Sequence, residues 1–230
     1  MNLKEIVLPE VTKASQSQTI KRRSKGEKTR EKILIAAIEI LALNGVKGTT
    51  HRAIANHAKL QLSLTTYYFK DIQELVVQAF KLNSKRILSH ADPILETAFN
   101  ILTEVPKKEL RKTAIKQGLC DQLTQVAKHH IIDTIKHKAI PLTVEQLMFT
   151  ESQTSPNLRL LSQEHELAQL IPYEELCRFF NKIHPEVDAK IMYTVFSQLR
   201  YGQLYQQVNV DTQLIEQTVR QIIAMVMSIK

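Results

Sequence analysis

Two hundred and thirty residues, 43% hydrophobic and 23% charged, supply enough apolar material for one sizeable core, or for a small domain joined to a larger one. Glycine (5) and proline (7) are scarce, which leaves few of the turns that a many-stranded sandwich or barrel requires and predicts a mostly helical chain. The net charge of +8 is unevenly spread: residues 1–70 hold 13 Lys or Arg against 5 Asp or Glu, and the rest of the chain holds 18 of each, so a polyanion is expected to meet the first third alone.

Residues 1–26, with Lys21, Arg22, Arg23 and Lys25, read as a basic, unstructured arm. From Lys28 to Asn44 the residues Ile33, Leu34, Ala37, Ile38, Ile40 and Leu41 recur at helical spacing, and Asn44-Gly45 is a stop. Thr50 is a good N-cap for a short helix over His51–His57 whose inner face is Ile54, Ala55 and Ala58. A break at Lys59-Leu60-Gln61 precedes a third helix over Leu62–Tyr68. A fourth begins at Asp71, an acidic residue suited to the helix dipole, and runs to His90. Two short helices joined by a three-residue turn suggest helix-turn-helix.

Beyond His90 the prolines 93, 106, 141, 156, 172 and 185 punctuate the chain. They leave helical blocks over 94–104, 107–138, 142–153, 157–170 and 173–182, with Gly118 a candidate break or kink in the long one. Two longer amphipathic stretches close the chain, Glu186–Val208 and Asp211–Ile229. Apolar surface on that scale requires a large partner, either the rest of the domain or a second copy of the chain. Cys120 and Cys177 cannot make a disulfide framework and are expected to be reduced and buried. No apolar run reaches the roughly 18–20 residues of a membrane span, and the N-terminal sequence lacks a signal peptide's apolar segment, so no membrane partner and a cytoplasmic location are expected.

The stretch GVKGTTHRAIANHAKLQLSLTTYYFKDIQELV resembles the DNA-binding domain of the tetracycline-repressor (TetR) family of bacterial transcriptional regulators over about residues 27–87. The matching features are a helix ending in a glycine-bounded turn, TTHRAIANHA, a turn, a recognition helix ending in TTYYF, and an acidic start to the fourth helix with Glu74-Leu75. The resemblance implies an all-α fold, a three-helix head, and a body that binds a small ligand and dimerises. Three positions depart from the common pattern. Lys59 stands where a turn glycine is usual and so is expected to adopt a left-handed conformation, Thr66 stands where a tyrosine is usual, and Ile72 where a lysine usually contacts phosphate, a role that would be lost or would pass to Lys70.

The residue chemistry points the same way. A seven-residue helix presents its N-terminal side chains to a major groove about 12 Å wide while the preceding helix crosses the backbone. Gln61, Ser63, Thr65 and Thr66 offer hydrogen-bonding groups, and Leu62 or Leu64 offers methyl groups to thymine. Thr50, His51 and Arg52 form a candidate phosphate site at the start of the second helix, joined by Tyr67, Tyr68 and Lys70. Phe69 reads as core. The family register buries Thr65, whereas periodicity from Leu60 buries Leu64, and the sequence leaves both open. The basic arm is a candidate for an adjacent minor groove or phosphates.

Eight histidines invite a metal reading, but adjacent His129 and His130 point about 100° apart on a helix, and no recognisable ligand motif surrounds them with His137. No P-loop, dinucleotide fingerprint, nucleophile elbow or zinc-protease motif is present, so neither enzyme activity, metal nor cofactor is expected. Met148, Phe149 and Tyr193 are the candidates for lining an effector pocket. Leu199, Leu214, Val219, Ile222, Ile223 and Val226, on the last two helices, are the candidates for a homodimer interface. The resulting expectation is a ligand-responsive repressor that binds a palindromic operator in double-stranded DNA as a homodimer and is released by a small-molecule effector. The alternative is a helical scaffold whose basic head binds nucleic acid without sequence preference.

Overall fold

A computed structural model describes residues 13–153, 155–205 and 210–229, and the side chains from Lys25 onward apart from those of residues 203 and 205. The described residues form nine α-helices and one 3-10 turn, with no strand. Helix α1 spans Lys13–Gly48. The segment expected as an unstructured arm is therefore helical from Lys13, while residues 1–12 lie outside the described residues. The reason is local: residues 13–25 contain neither proline nor glycine, and they extend a helix already nucleated by the buried run that follows. At Gly45 the backbone turns to φ 65°, a conformation that costs glycine least, and the helix breaks there as the sequence predicts.

Helix α2 (His51–Ala58) packs against α1, α3 (Leu62–Tyr68) packs against α2, and α4 runs from Ile72 to Thr103. The predicted boundary at Pro93 is overturned, because α4 passes through it unbroken. Pro93 and Ser89, the residue whose carbonyl loses its helical partner, both lie on the exposed side, where water is available to that carbonyl. The predicted long block after Pro106 resolves into a 3-10 turn at Glu109–Arg111 and helix α5, Thr113–His137. Gly118 sits inside α5 without ending it. Helix α6 spans Ala139–Glu151, with Pro141 in its first turn where a missing N–H costs little. Pro172 likewise fails to divide α7, Pro156–Cys177, which fuses two predicted blocks. Helices α8 (Pro185–Tyr205) and α9 (Thr212–Val226) complete the described chain.

Two hydrophobic cores organise these helices. The first gathers Ile33, Ala37, Leu41, Ile54, Phe69 and Phe80 from α1, α2, the end of α3 and the first half of α4. It also takes in Val144 and Met148 from α6 and Leu158 and Leu161 from α7, so the head shares its core with the body. The second joins Leu102 of α4, Leu119, Cys120 and Ile131 of α5, Cys177 of α7 and Phe196 of α8. Four residues of α9, namely Ile215, Val219, Ile223 and Val226, complete it. Both cysteines are free thiols in this core, and burial pushes the Cys177 thiol up to about 12, which keeps it protonated. No described helix is long and apolar enough to cross a membrane.

Candidate nucleic-acid interface and cavity

The second helix is set by its two ends. The Thr50 hydroxyl accepts a hydrogen bond from the Ala53 N–H at 3.1 Å, the side-chain cap that the sequence predicts. At the other end Lys59 adopts φ 52°, ψ 49°, the left-handed conformation predicted for a residue replacing glycine there. Its N–H donates to the Asn56 carbonyl at 3.1 Å and the Leu60 N–H to the Ala55 carbonyl at 2.9 Å, which together satisfy two of the last carbonyls of α2. The exposed His57 imidazole meets the Glu39 carboxylate at 2.5 Å and ties α2 to α1.

This turn sets the rotation of α3. Thr65 is fully buried, and its hydroxyl donates to the Leu62 carbonyl at 2.8 Å. Leu64 is half-buried against the head core, so of the two registers open to the sequence the fold adopts the one that buries Thr65. The buried threonine loses little because its hydroxyl is satisfied within the helix. Gln61, Leu62, Ser63, Thr66 and Tyr67 then face outward, and Tyr67 is 79% exposed. The Tyr68 ring is half-buried against the head core, packs edge to face on Tyr67 at 5.0 Å, and brings its hydroxyl close to Gly26 of α1. Phe69 is core, as expected, and lies under the Arg30 guanidinium at 5.1 Å. Thr50, Arg52 and Lys70 are exposed and His51 is half-buried, with a buried Nδ1 that has no partner. Asp71 caps α4 by accepting from the Glu74 N–H at 2.7 Å, and Glu74 in turn accepts from the Lys70 N–H at 2.9 Å. Ile72 packs against the head core.

A cavity of ≈90 Å³ lies within the body. Its walls come from five helices: Leu95 and Ala98 of α4, Ile131 of α5, Tyr173 of α7, Phe196 of α8 and Ile223 of α9. None of the three residues singled out from sequence lines it. Met148 is buried in the first core, Phe149 packs beside it, and Tyr193 is buried next to Tyr173 with ring centroids 6.4 Å apart. Burial pushes the Tyr193 hydroxyl up to about 12. A larger cleft of ≈960 Å³ adjoins the cavity, and the two share Ile94, Leu95, His130, Tyr173 and Arg200.

Two of these shared residues carry the polar chemistry. Burial, aided by the positive charges of Arg200 and His90, lowers the His130 imidazole to about 4 against the pull of Asp133 in the other direction. His130 is therefore neutral at neutral pH. Arg200 is 7% exposed and donates to the Ser197 hydroxyl at 2.9 Å, while its buried Nε–H has no partner. Burial works against its charge, but the Glu145 carboxylate and three tyrosines nearby raise its proton affinity above the ordinary value, so it stays charged.

A buried polar chain that the sequence does not reveal connects the cavity region to the head. Ser84 of α4 meets His165 Nδ1 at 2.7 Å, and His165 Nε2 meets Glu145 Oε1 at 2.6 Å. Gln169 donates to the same carboxylate oxygen at 2.9 Å. Burial alone would raise the Glu145 carboxyl, but the hydrogen bond from His165 and the charge of Arg200 lower it on balance, so it is ionised. A carboxylate only accepts, which makes His165 Nε2 a donor to it.

The dimer candidates are also rearranged. Val219, Ile223 and Val226 are buried in the second core, and Leu199 and Ile222 pack against it. Leu214 alone of the six is clearly exposed, at 55%. The face of α9 that carries Ile215, Val219, Ile223 and Val226 is covered by the body of its own chain, while Leu214 and Met225 remain exposed.

No family model matches the chain, and no curated protein matches it either. Solved structures do. A protein described as a TetR-family transcriptional regulator from Mesorhizobium loti superposes with a TM-score of 0.66 at 12% identity, over 89% of this chain and 97% of that one. The fold is that of TetR-family regulators. A transcriptional regulator from Rhodococcus sp. Rha1 gives a TM-score of 0.61 at 14% identity, over 86% of this chain and 96% of its own. The multidrug-binding protein EbrR, solved with ethidium, gives 0.57 at 17% identity, over 84% of this chain and 97% of its own.

Proposed function

We propose that the chain is a sequence-specific DNA-binding transcriptional regulator, a repressor released from a palindromic operator when a small molecule occupies its body. The observation that carries this reading is the geometry of residues 50–69: a capped α2, a left-handed turn at Lys59, and an α3 that buries Thr65 and turns Gln61, Leu62, Ser63, Thr66 and Tyr67 outward. In this reading those five residues, with the half-buried Leu64, meet base edges and phosphates in the major groove. Thr50, His51, Arg52, Tyr68 and Lys70 hold the backbone. The exposed Lys25, Lys28 and Lys32 along α1 add to the positive field.

The response to ligand follows from α4. Its first half supplies Leu75, Ala79 and Phe80 to the head core, and its second half supplies Ile94, Leu95, Ala98 and Leu102 to the cavity wall. From Phe80 to Ile94 is about 20 Å of continuous helix, so a ligand that displaces one end re-aims the other. The shared core and the Ser84–His165–Glu145 chain fasten α6 and α7 to the same helix. A tenfold loss of DNA affinity needs only about 1.4 kcal/mol of difference between the ligand's affinities for the two states.

A palindromic operator requires a two-fold partner. The face proposed for it is on α7 and α8, where Leu160, Leu167, Ile171, Val187 and Ile191 are exposed, rather than on α9. Selecting bound duplexes from a random DNA pool tests the reading. Enrichment of an inverted repeat is the expected result; steep salt dependence with no enriched motif would favour a head that binds nucleic acid without sequence preference.

A further inference from the structure

The effector cavity has one feature that apolar packing does not explain. Among its lining residues, nearly all aliphatic or aromatic, stands the guanidinium of Arg200, buried and shared with the adjoining cleft. Among the described residues no carboxylate lies within 4 Å of it, and the hydrogen-bond partner it has there is the neutral hydroxyl of Ser197. Its Nε–H is buried with no acceptor. An arginine carries five donors in a planar fork that matches a carboxylate, and Glu145, whose charge sustains Arg200 from beyond hydrogen-bonding distance, leaves the Nε–H without an acceptor. Glu145, the nearest acidic influence on Arg200, lies in the lining of neither cavity nor cleft and is held by His165 and Gln169.

We infer that the effector is an organic monocarboxylate with an apolar body, its acid received by Arg200 and its body lodged among Leu95, Ala98, Ile131, Phe180 and Phe196. Tyr173 and His130 border the same position and stand beside the acid as neutral groups. The cavity itself accepts a short alkyl chain or a single ring, and the adjoining cleft takes any longer portion. This assignment rests on the regulator reading for its biological meaning, but not for its chemistry.

Calorimetric titration of the full chain with hexanoate and phenylacetate, each against its neutral amide and against hexylammonium, tests it. The acids are expected to bind at least about tenfold more tightly than hexanamide and phenylacetamide, and Arg200→Met is expected to abolish that preference. The wild-type comparison of acid with amide stands even if the variant does not fold. Amides or hexylammonium binding as tightly as the acids overturns the assignment, as does failure of both acids to bind at about 10 mM, or an acid preference that persists in a folded Arg200→Met protein. Duplex binding measured in the same samples separates the two proposals. Acid binding that leaves duplex affinity unchanged supports the anion site and refutes its coupling to DNA. Sequence-specific duplex binding that persists while neither acid binds in calorimetry leaves the regulator reading standing and overturns the anion site.

Discussion

Replacing His130 with phenylalanine, similar in shape and unable to ionise, should make the protein less sensitive to acid. In the folded chain the imidazole titrates at about 4, against an ordinary value of 6.5, because it is withdrawn from water beside Arg200 and His90. The folded state therefore binds fewer protons at this site than the unfolded state between those two values. Its contribution to stability is complete above pH 6.5 and is lost progressively as the pH falls toward 4. The loss integrates to about 1.4 kcal/mol by pH 5.5 and about 3 kcal/mol by pH 4. Glu145 has the opposite ionic character but is also lowered, so its contribution is present above the ordinary carboxylate value and disappears only as the pH falls through its depressed folded value. It is common to both proteins and cancels in the difference. Urea unfolding of wild type and His130→Phe from pH 7.5 to pH 4 measures the effect. The gap between the two stability curves should change by about 3 kcal/mol over that range, in favour of the variant at low pH. Parallel curves would show that His130 is not held neutral in the cavity wall and would refute the reasoning.

Lys59→Gly relieves a left-handed residue and should raise stability by about 0.5–1 kcal/mol in thermal or urea unfolding; no gain would mean that the turn carries no strain. Ile223→Ala should cost about 2–5 kcal/mol of stability and leave the oligomeric state unchanged in sedimentation. Leu167→Asp, on the exposed face of α7, should do the reverse, and a variant that remained dimeric would place the interface elsewhere. Arg52→Ala should weaken binding to all duplexes alike and reduce the salt slope by about 1 unit, whereas Thr66→Ala should alter the selected sequence; the same duplex-selection and anisotropy measurements check both.

The head was largely legible because its decisive features are local. Thr50 as a cap, Gly45 as a stop and Lys59 in a left-handed turn are each dictated by neighbouring residues. Thr65 and Leu64 could not be separated by pattern, since a threonine becomes a good buried residue only when its hydroxyl finds the Leu62 carbonyl. Proline misled where tertiary packing carries a helix onward, as at Pro93 and Pro172. The amphipathic face of α9 was visible, but periodicity reports that a face is buried and not which surface covers it, and Val219 and Ile223 turned inward to the second core. The cavity was illegible for a related reason. Its walls converge from five helices, and the polar chain beside it joins Ser84 to His165, 81 positions apart, a pairing that no local pattern encodes. Met148 and Phe149 had the right composition for a pocket and serve instead as the seam between head and body.

The central claim is that α3 reads sequence, and the most direct test is the ratio of affinities for the enriched inverted repeat and for a scrambled duplex of the same composition, measured by fluorescence anisotropy at near-physiological salt. The account predicts a preference of about 10³ or more for the repeat, lost when Thr66 and Tyr67 are replaced together by alanine. Equal affinity for the two duplexes would contradict it.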